Sequence, residues 1–174
     1  MTPVLANLNA AAVRYLVIGG QAMRLHGLPR FTMDWDLFIP ARDADNLRRL
    51  NDALVEWLDG PVLPMKENGE NFIQTYQTPW GVLQFHLAMP GVSSFDEAYG
   101  RASSLSEDGL DFPTLCEDDL LKAKLATHRP QDQQDIDYLQ LRLHPSSVTH
   151  APSETGTSVT GPSKVEKGKA EKRS

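Results

Sequence analysis

The pattern of hydrophobic and polar positions in the first sixty residues changes period several times, and each period predicts a different element. Apolar residues three to four apart are typical of an amphipathic helix, whereas unbroken runs of branched and aromatic residues are typical of buried strands. Glycine and proline mark the ends of these elements. The resulting prediction is a helix over 5–12, a strand over 14–18, a turn at Gly19-Gly20, a helix over 21–26, a strand over 35–39 and a long helix from Asp43 to Gly60.

The second half of the chain contains two further alternating regions followed by helical patterns. Alternation on both sides of residues 78–81 predicts a β-hairpin, and Asp108-Gly109 predicts a smaller one. Residues 95–101 predict one or two helical turns, and two helices are expected over 117–128 and 131–143. Together these elements predict an α/β (α+β) fold, with a mixed sheet, helices packed on one side and a short helical C-terminus.

The composition divides the chain into two unequal parts. Of its 174 residues 40% are hydrophobic, which suffices for one domain over residues 1–144. Residues 145–174 contain no aromatic side chain and consist mainly of Ser, Thr, Gly, Pro and Lys. Such a segment buries too little apolar surface to offset the entropy of ordering, so we expect a disordered tail.

Charge and cysteine content narrow the possible partners. The chain has 17 basic and 23 acidic residues, of which five and three lie in the tail, so residues 1–144 carry a net charge of −8. A nucleic-acid substrate would therefore need a local basic patch. The single Cys116 excludes a disulfide framework, and no apolar run could span a bilayer. We expect a cytoplasmic protein with no membrane partner and no disulfide-linked partner.

Two carboxylates lie close together in the second predicted strand. Residues two apart on a strand point to the same face, so Asp34 and Asp36 are expected side by side, while Trp35 faces the other way. Buried carboxylates need a partner, and a divalent cation is the natural one. Oxygen ligands favour Mg²⁺, or Mn²⁺, which also takes substrate phosphates as ligands and assists phosphoryl transfer.

The glycine pair supplies a second part of the same hypothesis. Gly19 and Gly20 follow an apolar strand and precede a predicted helix. Without a Cβ atom, their backbone N–H groups can approach a phosphate closely. A diglycine alone usually marks only a turn, but in this order with the carboxylates it predicts a metal–nucleotide site.

These segments resemble the minimal nucleotidyltransferases of the DNA polymerase beta-like superfamily, of the abortive-infection and toxin–antitoxin type. The resemblance begins with Gly-Gly-x-Ala and Arg-x-Thr-x-Asp-x-Asp, in which the residue between the two aspartates is apolar. It continues at residues 78–81 and 90–95, and ends with Lys124-Leu125-Ala126 and the motif over residues 129–136. It covers residues 14–140 and implies a nucleotidyltransferase-like fold.

The resemblance also implies roles for individual residues. Asp34 and Asp36 would be the catalytic residues and would bind Mg²⁺. A nucleoside triphosphate such as ATP would be the substrate. Arg30 and Thr32 would position the loop, although an ion pair of Arg30 with a carboxylate is the favoured alternative. For Lys124 an ordinary solvated lysine is an equal alternative. The implied nucleotide-binding residues are Gly19, Gly20, Arg30, Thr32, Lys124 and Arg129.

The chain departs from the family pattern at the position of the third carboxylate. That position is occupied by Gln84, and no Asp or Glu occurs between Glu70 and Asp96. An amide oxygen can bind a cation but cannot act as a base. His86 lies two residues beyond Gln84, on the same face of the predicted strand, and could act as a third ligand or as a base. The favoured interpretation is nevertheless a histidine with no catalytic role.

The closing motif departs in two further places. Gln131 stands where lysine is usual in the family, and His128 where glycine is typical.

Two hypotheses follow for the function. The first is Mg²⁺-dependent transfer of a nucleotidyl group from a triphosphate to a hydroxyl of protein or RNA, with a toxin–antitoxin system and a protein partner as the expected setting. The second is a catalytically degenerate binding or antitoxin module that kept the fold without the third carboxylate. The motif alone does not decide between them.

Overall fold

The computed structural model of the protein describes residues 1–145; the remainder of the predicted tail lies outside the described residues. The helices and strands follow the predicted order closely. They are α1 Thr2–Ala10, β1 Leu16–Ile18, α2 Gly19–Leu25, β2 Trp35–Phe38, α3 Ala44–Leu54, β3 Ile73–Thr78, β4 Gly81–His86, α4 Phe95–Gly100, β5 Ser103–Glu107, β6 Leu110–Thr114, α5 Glu117–Thr127, a 3-10 turn Pro130–Asp132 and α6 Gln133–Leu143.

The strands form one mixed six-stranded sheet in the order β3-β4-β2-β1-β6-β5. The hairpins β3–β4 and β5–β6 are antiparallel, as is the central pair β1–β2, whereas β2 runs parallel to β4 and β1 parallel to β6. The predicted mixed sheet and both hairpins are confirmed. Among residues 1–145, no helix combines the length and apolarity needed to cross a bilayer.

The hydrophobic core lies around the central strands. Every residue of β1 is buried, as the apolar run predicts, and so are Leu37 and Phe38 of β2. α1 buries Leu5 and Leu8 at helical spacing. α3 buries Leu47, Leu50 and Leu54, and its first turn is capped by the Asp43 side chain, which accepts a hydrogen bond from the Asn46 N–H. This packing fixes the strand ends that carry the candidate site.

Two predicted boundaries near the site, and the predicted placement of Asp34 inside the second strand, are wrong. α2 begins at Gly19, so the glycine pair forms its first two residues and is not a separate turn before residue 21. Asp34 lies just before β2, which begins at Trp35. The long helix α3 ends at Leu54 and does not continue to Gly60. In each case tertiary packing, which local periodicity does not encode, sets the end of the element.

Candidate active site

A cleft of about 430 Å³ opens where β1 passes into α2. It is bounded by the ends of β2 and β4 and by α5 with the turn that follows it. All of the predicted site residues line it, together with several apolar side chains and Gln131. The lining includes Gly19, Gly20, Arg30, Thr32, Asp34, Asp36, Gln84, His86, Lys124, Arg129 and Asp132. The structure thus brings together residues that are more than 100 positions apart in the chain.

The strand register places Gln84 directly beside Asp36. β2 and β4 are parallel neighbours, and Asp36 is paired with Gln84. His86 also faces Asp36, and its Nε2 atom lies 3.1 Å from Asp36 Oδ1, within hydrogen-bond distance. Asp34 is exposed and, within the described part of the chain, makes no side-chain hydrogen bond or ion pair. Asp34 and Asp36 thus both line the cleft, with Asp34 just before the strand and Asp36 on it.

The absence of side chains at the glycine pair lets the backbone of α2 pack closely against two cleft residues. Gly19 has a φ of +63°, a conformation that favours glycine, and a Cβ atom there would collide with the Asp36 carboxylate. A Cβ atom on Gly20 would lie 2.8 Å from Thr32 Oγ1. The backbone of α2 can therefore approach both the carboxylate and the loop that carries Asp34.

The donor set fits a hard divalent cation. Asp34, Asp36 and Gln84 present only oxygen atoms with affinity for such ions, and Mg²⁺ commonly completes its shell with water and phosphate oxygens. Within residues 1–145, however, no three or more His, Cys, Asp or Glu side chains are grouped closely enough to hold a metal by themselves. Asp34, Asp36 and the neutral Gln84 are the oxygen donors on the strand side of this cleft, because the third carboxylate of its lining, Asp132, is paired with Lys124.

Lys124 is held by two buried aspartates on the wall of the cleft. Its Nζ atom lies 2.6 Å from Asp132 Oδ1 and 2.8 Å from Asp135 Oδ2, and its side chain is 11% exposed. Burial by itself acts to raise the pKa of Asp132, but the Lys124 ammonium, together with the Thr127 hydroxyl and the Arg129 guanidinium, holds that pKa below its ordinary value. Lys124 is therefore not a solvated helix lysine.

Arg30 joins the same network. Its guanidinium contacts both carboxylate oxygens of Asp135, at 2.7 and 2.5 Å, and the Asp135 side chain is 2% exposed. The favoured alternative for Arg30, an ion pair with a carboxylate, is thus what the structure contains. Through this pair the loop before β2 is fastened to α6.

Arg129 is the most accessible cation of the cleft wall. Its side chain is 58% exposed and its one ion pair, with Asp132, spans 3.3 Å. The preceding His128 ends α5 with a φ of 50°, in the left-handed region. That backbone conformation explains why glycine would be typical at this position.

Sequence reasoning assigned no role to Asp132 and Asp135. Both belong to the closing motif that carries the family resemblance, but charged residues are usually exposed, and nothing in the local pattern marks these two as buried. Lys124 and Arg30 have no evident acidic partner nearby in the sequence. Basic residues of this kind indicate acidic partners elsewhere in the chain, and that indication could have identified Asp132 and Asp135.

A sequence model of one protein family matches residues 4–144, and its description is nucleotidyltransferase of unknown function (DUF6036). The chain belongs to this family. Comparison with curated protein sequences finds no significant match. The resemblance drawn from the sequence motifs is therefore confirmed at the level of the nucleotidyltransferases, and nucleotidyl transfer is the activity that this family supports.

Solved structures with the same fold include two further nucleotidyltransferases. A Thermotoga maritima protein described as a nucleotidyltransferase has a TM-score of 0.59 and 11% identity, over 81% of this chain and 90% of its own. The antibiotic-resistance factor ANT(2'')-Ia has a TM-score of 0.57 and 16% identity, over 83% of this chain and 82% of its own.

A second structure of ANT(2'')-Ia contains adenylyl-2''-tobramycin and gives a TM-score of 0.56 at 16% identity, over 83% of this chain and 87% of its own. At these identities the likeness establishes the nucleotidyltransferase-like fold, and not a shared substrate.

Proposed function

We propose that this nucleotidyltransferase binds a Mg²⁺–nucleoside triphosphate in the cleft and transfers its nucleotidyl group to a hydroxyl of protein or RNA. The observation that carries the proposal is the close approach of the α2 backbone at Gly19 to the Asp36 carboxylate. A site that brings bare backbone and a carboxylate together in an open cleft suits phosphate and cation bound side by side.

In this proposal, different residues of the cleft bind the cation and the triphosphate. Asp34 and Asp36 would hold the cation, with Gln84 as a neutral oxygen donor. When bound, such a cation neutralises phosphate charge and stabilises the developing charge of an in-line displacement. Gly19 and Gly20 would lie against the triphosphate, and the exposed Arg129 can turn its guanidinium toward a phosphate oxygen. The charge of Lys124 is neutralised by Asp132 and Asp135, so this residue shapes the wall of the cleft and adds little positive charge to it.

The biological setting is part of the proposal. The resemblance to the toxin–antitoxin type supports a role in such a system, with a protein partner, and the single Cys116 supports the reducing cytoplasm as its location. The test of that setting is growth of cells that express the chain with and without the product of the adjacent gene. A growth arrest relieved by that product identifies a toxin.

Calorimetric titration with each nucleoside triphosphate tests the site directly. We expect binding of at least one triphosphate in the presence of Mg²⁺ and at least tenfold weaker binding when the metal is removed by a chelator, because the carboxylates then repel the phosphates. Transfer from an α-labelled triphosphate to a mixture of protein and RNA acceptors then measures the reaction. Failure to bind any triphosphate with Mg²⁺ would contradict the proposal.

A second candidate function, a binding module without catalysis, is favoured by the position of Gln84. The amide stands beside Asp36, where a carboxylate would complete the metal site, and it supplies neither charge nor a base.

The variant Gln84→Asp discriminates between the two candidates. If the natural chain is degenerate, restoring the carboxylate is expected to raise label transfer at least tenfold from an inert background. Gln84→Asn is the matched control, because asparagine has the length of aspartate without its charge, and this variant should stay inert. An active natural chain, or equal gains from both variants, would rule out the degenerate module.

A further inference from the structure

The strand β3 leaves a free backbone edge beside the cleft. It is the outermost strand of the sheet and pairs only with β4. The Leu87 N–H donates to the Phe72 carbonyl over 2.8 Å, which fixes the alternation of the antiparallel ladder. The backbone N–H and C=O groups of Ile73, Thr75 and Gln77 therefore point away from β4. Within residues 1–145 these groups have no backbone partner.

This edge lacks the usual protection against pairing with another chain. Natural edge strands are commonly guarded by charged residues, proline, bulges or a covering loop. The segment before β3 contacts it through the side chains of Gln74 and Tyr76, which bond to the backbone of Leu63 and Pro61, and these bonds leave the outward backbone groups of the edge unused. The six residues of β3 are Ile-Gln-Thr-Tyr-Gln-Thr, with no charge and no proline, and they pair with β4 in continuous register. The opposite edge, β5, ends in Glu107, which forms an ion pair with Arg24. The edge beside the cleft is the one open to an added strand.

The register connects this edge to the candidate metal site. Thr75 is paired with Gln84, which is paired with Asp36, and Ile73 lines the cleft. A strand added outside β3 would lie three strand spacings from β2, or about 14 Å. An extended chain covers that distance in about four residues. A hydroxyl a few residues beyond the paired segment could therefore reach the cleft.

Large apolar side chains are exposed on both sides of the cleft mouth. Phe31 and Met33, which flank the cleft residue Thr32, are 85% and 70% exposed. Phe72 and Ile73, at the start of β3, are 50% and 41% exposed. Exposed apolar residues gathered around one site are typical of a surface that contacts a protein.

The charge of the domain selects between the two acceptor classes. Residues 1–144 have a net charge of −8, and the cleft itself contributes Asp34 and Asp36. An RNA strand brings a phosphate for every nucleotide and gains its affinity from basic side chains. The three described cations that line the cleft are each paired with a carboxylate, and of them only Arg129 is more than half exposed. A neutral or basic polypeptide meets no such repulsion.

We propose that the acceptor is a protein, and that an extended segment of it with apolar and basic side chains pairs with the free edge of β3. This inference rests on the proposed nucleotidyl transfer. The hydroxyl oxygen of a Ser, Thr or Tyr that follows the segment forms a bond to the α-phosphorus. The bond from that phosphorus to the bridging oxygen breaks, pyrophosphate leaves with the electron pair, and the hydroxyl proton passes to water.

The experiment uses the full chain, Mg²⁺, α-labelled triphosphate and a pool of synthetic peptides. Each peptide contains the strand segment Lys-Val-Lys-Val-Lys-Val. A spacer of two to six Gly or Ala residues joins this segment to one Ser, Thr or Tyr, which is placed before the segment in some peptides and after it in others. A single-stranded RNA with a free 3′ hydroxyl is the competing acceptor. We expect label on the peptides, and at least tenfold less on peptides with alternate N-methylated amides, which cannot pair with a strand edge.

Variants at Thr75 test the edge itself. Thr75→Pro removes the outward N–H and leaves the ladder to β4 intact, so peptide labelling should fall at least tenfold. Thr75→Val keeps the N–H and should stay within twofold of the natural chain. Gln77→Lys, which places a positive charge against the basic peptides, is a second variant and should weaken labelling several-fold. Mg²⁺–triphosphate binding by calorimetry, unchanged in all three, shows that the cleft is intact.

Several outcomes overturn the inference. Labelling of the RNA alone, equal labelling by Thr75→Pro and Thr75→Val, or labelling of hydroxyls within residues 146–174 of the chain itself would each exclude a partner protein on β3. Triphosphate binding without transfer to any acceptor would also overturn it, while the nucleotide site stands. Absence of Mg²⁺–triphosphate binding would instead show that the proposed function has failed.

Discussion

Simultaneous replacement of Asp34 and Asp36 by alanine is expected to lower the rate of nucleotidyl transfer by about 1,000-fold or more. Of the three described acids that line the cleft, Asp132 is paired with Lys124, which leaves Asp34 and Asp36 to hold a cation, and the neighbouring oxygen donor, Gln84, is neutral. Loss of a bound cation removes several kcal/mol of charge stabilisation from phosphoryl transfer. At 1.36 kcal/mol for each tenfold, a 1,000-fold loss corresponds to about 4 kcal/mol.

The same variant should remain folded, which separates loss of chemistry from loss of structure. Asp34 is exposed and, among the described residues, makes no side-chain hydrogen bond or ion pair, and the bond that the variant loses is the one between Asp36 and His86. Against that loss, two nearby carboxylates repel each other when no cation lies between them. The free energy of unfolding should therefore change by less than about 1 kcal/mol. Asp52→Asn, at a side chain 71% exposed on α3, is the matched control and should keep full transfer. Undiminished labelling by the double variant would refute the assignment.

The relation between Asp36 and Gln84 illustrates what the sequence can predict. Alternation along each strand determines which face a side chain occupies, and the family resemblance supplies the order of the strands. Together they predict that Gln84 stands in place of the third carboxylate, and the register of β2 and β4 indeed pairs it with Asp36. The chemical roles of both residues stay predictions.

The contact between Gly19 and Asp36 was beyond sequence reasoning. The glycine pair looked like a simple turn because diglycine commonly is one. Gly19 combines a positive φ with the close approach of a carboxylate 17 residues away in the chain, and no local period encodes that approach. β2 begins at Trp35, as its apolar pattern predicts, so Asp34 lies just outside the strand and the same-face argument for residues two apart does not extend to it.

The buried ion network was equally beyond local patterns. Arg30 and Asp135 are 105 residues apart, and their pairing depends on how α6 packs against the loop before β2. Sequence alone offered only a motif of unassigned acids and a lysine with two equal interpretations. The structure explains both, because the acids neutralise the lysine and the arginine.

Asp135→Asn is expected to destabilise the fold by about 3 kcal/mol, because removal of one partner from a buried ion network leaves charge uncompensated. Asp135 is 1% exposed and accepts from Arg30 while it also contacts Lys124 at 2.8 Å. Urea unfolding measures the change. The matched control is Asp137→Asn on the same helix, where the exposed carboxylate accepts only from Gln133, and it should stay within about 0.5 kcal/mol.

The pH dependence of the same network gives an independent measurement. Although burial opposes it, the ion pair with Lys124 keeps the pKa of Asp132 below its ordinary value in the folded state. A group with a lowered folded pKa stabilises the fold above its unfolded pKa, about 3.9, and that contribution disappears as the pH falls through the folded value. Lys124→Met removes the ion pair while keeping a side chain of about the same volume. As the pH falls from 5 into the acid range, the free energy of unfolding should therefore decrease less for this variant than for the natural chain. Equal acid sensitivity of the two proteins, or a cost for Asp135→Asn no larger than for Asp137→Asn, would show that the network contributes little to the fold.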